Sequence, residues 1–70
     1  MPRISEFFGI LIAMYYNDHA PPHFHATYGG YEAKYRIDTL EIIHGVLPRR
    51  SNSLVLEWAA MHRAELMHDW

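Results

Sequence analysis

From residue 31 to residue 38 apolar and polar side chains alternate almost without a break. Tyr31, Ala33, Tyr35 and Ile37 make one set, and Glu32, Lys34, Arg36 and Asp38 the other. A period of two is that of a strand with one buried face, so this stretch reads as a half-buried antiparallel strand. Gly29-Gly30 precedes it, and two residues that tolerate positive φ between such runs signal a tight hairpin. The partner strand is then 23–28. Upstream, residues 10–16 are apolar in both alternating sets and rich in β-branched and aromatic types. That pattern predicts a central strand covered on both sides. Residues 1–6 read as an extended lead-in or edge strand, and Gly9 as a bend or bulge. Residues 40–44, closed by Gly45, give a fourth strand.

Beyond Pro48 the period changes. At about 100° per residue, Leu54, Val55, Trp58, Ala59, Leu66 and Trp70 fall in one broad stripe, with Ala60, Arg63 and Met67 opposite. A helix over 54–70 follows. Pro48 suits its first turn, and Ser51, Asn52 or Ser53 can cap it. His62 lies in the middle of the stripe, which predicts a core histidine bonded to a sheet residue such as a tyrosine hydroxyl. The fold class is α+β: a small antiparallel sheet of three to four strands in a meander, packed by one C-terminal helix, in a single domain over 1–70.

Composition sharpens this picture in three places. Seventy residues leave room for one core and bury only about 60% of the unfolded surface, so stability is marginal unless a partner or metal adds to it. The chain has no cysteine, which excludes disulfides and thiolate metal sites. Its formal charge is −2 with neutral histidines and +4 with all six protonated. Such a balance gives no footprint for strong nucleic-acid binding, although nucleic acid stays open as a partner. Arg49-Arg50 is the one basic cluster. No leader is expected, the apolar run 7–16 is too short to span a bilayer, and a cytoplasmic protein with no membrane association is the expectation.

Chemistry concentrates in Asn17-Asp18-His19-Ala20-Pro21-Pro22-His23-Phe24-His25, where three of six histidines fall within seven residues. The prolines fix φ and favour a turn that runs out into a strand. On that strand His23 and His25 share one face and Phe24 takes the other. Phe24, the more apolar, is expected to face the helix, so His62 cannot join His23 and His25. His19, His23 and His25 are candidate ligands for one Zn or other first-row divalent ion, with Asp18 as a fourth ligand or an acceptor orienting an imidazole.

These residues, together with Phe7-Phe8-Gly9-Ile10, Met14-Tyr15-Tyr16, Tyr28-Gly29-Gly30-Tyr31, Leu47-Pro48-Arg49-Arg50 and Val55-Leu56-Glu57-Trp58, resemble a small bacterial family of uncharacterised domains marked by a His-Phe-His motif. The resemblance covers nearly the whole chain, with Ser51-Asn52-Ser53 more polar than the family pattern. It implies a gene beside this one that encodes another small domain, and hence a two-protein, toxin–antitoxin-like module.

Three function classes are consistent with these observations. A protein-interaction domain would use the histidine cluster as its surface, with Tyr16, Asp18, His19, His23, His25, Arg49 and Arg50 as binding residues and the neighbouring gene product as partner. A metal-binding protein would use the three histidines. A small histidine-dependent ribonuclease-type toxin would use paired histidines as acid and base, with Arg49 or Arg50 on the phosphate. Interaction needs the least machinery in so short a chain and is the favoured class.

Overall fold

The computed structural model describes residues 3–14 and 21–69. Its elements are β1 (Arg3–Phe7), β2 (Ile10–Ala13), β3 (His23–Tyr28), β4 (Tyr31–Arg36), β5 (Ile42–Gly45) and α1 (Arg49–Asp69). The strands form one antiparallel sheet in the order β1-β2-β3-β4-β5, each paired with its neighbour in sequence. The α+β class, the meander and the single C-terminal helix are as the periodicity implied. The strand count is not: there are five strands rather than three to four.

The fifth strand comes from the N-terminal lead-in, which becomes β1 because Phe8-Gly9 is neither a bend nor a bulge. Phe7 pairs with Ile10, and the two residues between them have φ of 50° and 77°. Positive φ at both centres is the pattern of a type I′ hairpin turn, whose twist matches that of the strands it joins. At Gly29-Gly30, between the paired Tyr28 and Tyr31, only Gly29 has positive φ. That is the type II′ requirement, glycine at the first centre.

Alternation sorts the sheet into two faces. Ile10, Ile12, Phe24, Ala26, Ala33, Tyr35 and Ile37 are buried on one, where they meet Val55, Ala59 and Leu66 of α1 in a single core cluster with Met14 and Leu47. Each such side chain removed from water contributes roughly 1.5–3 kcal/mol for valine, isoleucine or phenylalanine. Aromatic rings tie the layers together. Phe7 stacks on Trp58 at 5.7 Å, Trp58 meets the edge of Phe24 at 6.1 Å, and Phe24 stacks on Tyr35 at 5.2 Å. The Tyr35 hydroxyl then donates to Asn52 Oδ1 of α1 at 2.5 Å.

The helix starts earlier than its apolar stripe. Asn52 N–H donates to the Pro48 carbonyl at 2.9 Å, the first bond of the helical ladder, which puts Pro48 at the N-cap and Ser51, Asn52 and Ser53 inside the helix. Ser51 is therefore a buried residue of the inner face and not a cap. The end of β5 closes tightly on β4 at Gly45, whose φ is 82°. A Cβ there would come within 2.1 Å of the Glu32 carbonyl oxygen, so only glycine fits.

Candidate functional site

Parity placed the histidine pair correctly. Phe24 faces α1, so His23 and His25 project from the opposite face of β3. Their rings lie 5.1 Å apart, tilted by 53°. Both are buried, at 5% and 9% exposure, although the helix is on the other side of the sheet. His23 Nδ1 lies 2.8 Å from the Pro21 carbonyl. A carbonyl only accepts, so Nδ1 carries the proton and Nε2 keeps its lone pair in the neutral ring. Glu32 brings a carboxylate oxygen to 3.5 Å from His25 Nδ1. By register, Lys34 and Arg36 stand opposite His25 and His23 on the same face, and His44 of β5 stands opposite Lys34.

Of the expected site residues, Tyr16, Asp18 and His19 lie outside the described residues. Among the described residues no group of three or more histidine, aspartate or glutamate side chains is placed to hold a metal ion. His23 and His25 supply two imidazoles of suitable chemistry, which fits a share in such a site without completing it.

His62 departs from its expected partner. It is half-buried and stacks on Trp58 at 4.9 Å, and its Nδ1–H donates to the Trp58 carbonyl at 2.9 Å, one turn back along α1. Its hydrogen bond is thus satisfied within the helix, not by a sheet tyrosine. It does not join His23 and His25, from which the sheet separates it.

Arg49 and Arg50 occupy the first turn of α1, both exposed. The sheet lies between them and the histidine pair, so neither Arg49 nor Arg50 can share one phosphate with His23 and His25. Arg50 instead lines a cleft of about 190 Å³ with Phe8, Tyr28, Pro48, Ser51 and Leu54. Among the described residues neither arginine forms an ion pair. Phe8 is 77% exposed at the tip of its turn, and its ring meets Phe7 edge-on at 6.4 Å. Val46, also exposed, donates its N–H to the Glu32 carbonyl and so stands near the start of β4, where Tyr31 is exposed. Reasoning from periodicity missed this surface. Its signal was available in Phe8-Gly9, a large apolar residue in a turn that ordinarily takes asparagine, aspartate or glycine.

The molecule is thus a small α+β domain: a five-stranded antiparallel meander with one helix on one face. Residues 9–70 match the family model described as a domain of unknown function, DUF4160, and the chain belongs to that family. No curated protein and no solved structure matches it. No helix among the described residues is long and apolar enough to cross a membrane.

Proposed function

We propose that the protein is a small protein-interaction domain and one half of a two-protein bacterial module, its partner being the product of the neighbouring gene. The observation that carries this reading is Phe8. A phenylalanine held at φ 50° is strained by about 1–2 kcal/mol, and this one leaves its ring 77% exposed. Strain retained at a residue that buries little surface is accounted for when a partner covers it. Tyr28, Tyr31 and Val46 extend the exposed apolar surface around it. The histidine pair, being buried, shapes the domain from behind and offers the partner little area of its own.

Co-expression with the neighbouring gene product tests the proposal. The expected result is a complex that survives gel filtration at micromolar concentration and melts at a higher temperature than either protein alone. Separate elution of the two proteins would remove the support for a paired module.

A second reading, a metal site built on His23 and His25 with His19, draws on the Nδ1–H bond from His23 to the Pro21 carbonyl, which is the kind of bond that orients a ligand imidazole. Calorimetry of untagged protein with Zn²⁺ is then expected to show one saturable site, weakened at least about tenfold by His23→Ala or His25→Ala. Affinity unchanged from that of the parent protein in both variants would exclude it.

A further inference from the structure

We propose that the cleft at the entrance of α1 binds an acidic segment of the partner protein, seating one apolar side chain against Phe8 and Tyr28 and placing flanking carboxylates on Arg49 and Arg50. This rests on the interaction-domain reading and adds the chemistry of the bound segment.

Three observations converge on it. The cleft, about 190 Å³, has room for a single large side chain and falls below the roughly 300–1,000 Å³ of pockets that enclose whole small molecules. Its lining is mostly apolar: Phe8, Tyr28, Pro48 and Leu54 are joined only by Ser51 and Arg50. Arg50 is the cation of its lining, and Arg49 precedes it in the same helical turn. Arg49 and Arg50 make no ion pair among the described residues, and the first turn of α1 holds no acidic side chain. Two guanidiniums at that end of a helix add to the positive potential of its unbonded N–H groups, an arrangement that disfavours the free protein and favours an anion. Guanidinium forks take carboxylates in bidentate geometry, so a peptide with acidic residues on both sides of an apolar anchor matches rim and cleft together. Single-stranded nucleic acid fits less well. It needs a cationic groove that follows several phosphates, whereas the cleft has only two adjacent arginines of one helical turn beside it, in a chain with formal charge −2.

The test uses the whole chain and an array of short synthetic peptides. Each peptide carries a central leucine, phenylalanine or tryptophan between acidic, neutral or basic flanks, and binding is read by fluorescence polarisation. Acidic-flanked peptides are expected to bind at least about tenfold more tightly than neutral ones and to weaken as salt is raised. The Arg49→Glu/Arg50→Glu variant is expected to lose that preference, and Phe8→Asn, which keeps the turn, to lose affinity for every anchor. Circular dichroism establishes that both variants are folded. No binding, no preference for acidic flanks, or a preference that survives charge reversal would overturn the proposal, as would displacement of the peptides by a single-stranded RNA oligonucleotide that itself depends on the two arginines. A complex with the neighbouring gene product that weakens on Phe8→Asn but ignores reversal of both arginines would leave the interaction-domain reading standing and refute this one. Binding of acidic peptides without such a complex would do the reverse.

Discussion

At Phe8 local preference and observed structure disagree, as they do at Leu40, whose φ is 62°. The Phe8-Gly9 turn needs positive φ at both centres, and asparagine or glycine would adopt that at lower cost. Phe8→Asn is therefore expected to stabilise the isolated domain by up to about 1–2 kcal/mol while weakening the complex. Urea unfolding beside a binding titration checks both halves, and a destabilised variant would mean that the exposed ring packs more than its contact with Phe7 suggests. Tyr35 is the opposite case, a residue whose every part is used. Its ring stacks on Phe24 and its hydroxyl donates to Asn52, linking sheet to helix. Tyr35→Phe leaves the Asn52 carbonyl short of that donor and is expected to cost about 1–2 kcal/mol in chemical denaturation, with the fold retained.

At the scale of elements, the sheet edge depends on a local feature with no substitute. Gly45 lets the chain leave β5 against the Glu32 carbonyl, with which Val46 then bonds at 3.1 Å. Gly45→Ala combines left-handed strain with a clash against backbone, for an expected loss of roughly 2–5 kcal/mol. Thermal melting is the measurement, and amide exchange in β4 and β5 shows whether the damage is local. The helix entrance offers a reversed effect. Replacing Arg49 and Arg50 by glutamate puts anions where the helix dipole favours them, and each change is expected to raise stability by ~0.3–1 kcal/mol at low salt. A variant that is more stable and binds less separates a retained functional cost from a structural need. A loss of stability on charge reversal would show that the arginines serve the fold.

For the whole molecule, pH acts through two groups at opposite ends of the scale. Burial pushes the Tyr35 hydroxyl up from 10.0 to about 12. As pH rises past 10 the unfolded chain gives up this proton and the folded chain keeps it, so stability is expected to fall progressively up to about 12. At the acid end, the Arg36 guanidinium bonds to the Asp38 carboxylate at 2.7 and 2.9 Å and holds its pKa down to about 2. That contribution is complete above the ordinary carboxylate value of 3.8 and is lost as pH falls towards 2, and it is small because the pair is exposed and screened. Denaturation midpoints across pH measure both limbs. An alkaline limb that persists unchanged in Tyr35→Phe would assign it to another group.

Whatever depends on local periodicity was legible along the chain. Alternation through Tyr31–Arg36 placed Ala33 and Tyr35 in the core, and the helical stripe placed Val55, Ala59 and Leu66 against them. Parity on His23–Tyr28 set the two histidines apart from His62, because adjacent strand residues cannot share a face. Even the five-stranded count was partly legible, since Phe8-Gly9 separates an extended lead-in from the apolar run that begins at Ile10, but positive φ in a phenylalanine is not something local preference suggests. What packs against what became visible only in three dimensions. Ser51 has the composition of a cap and is buried, because Pro48 begins the helix a turn earlier. His23 and His25 have the composition of a surface motif and are buried on the face away from α1. The cleft joins Phe8 and Tyr28 to Arg50, residues far apart in the chain, and exists only once β2, β3 and α1 have met. Side-chain period is a property of neighbours along the chain and can be read there. Burial and convergence are properties of neighbours in space, and they arise only when the whole sheet has closed on its helix.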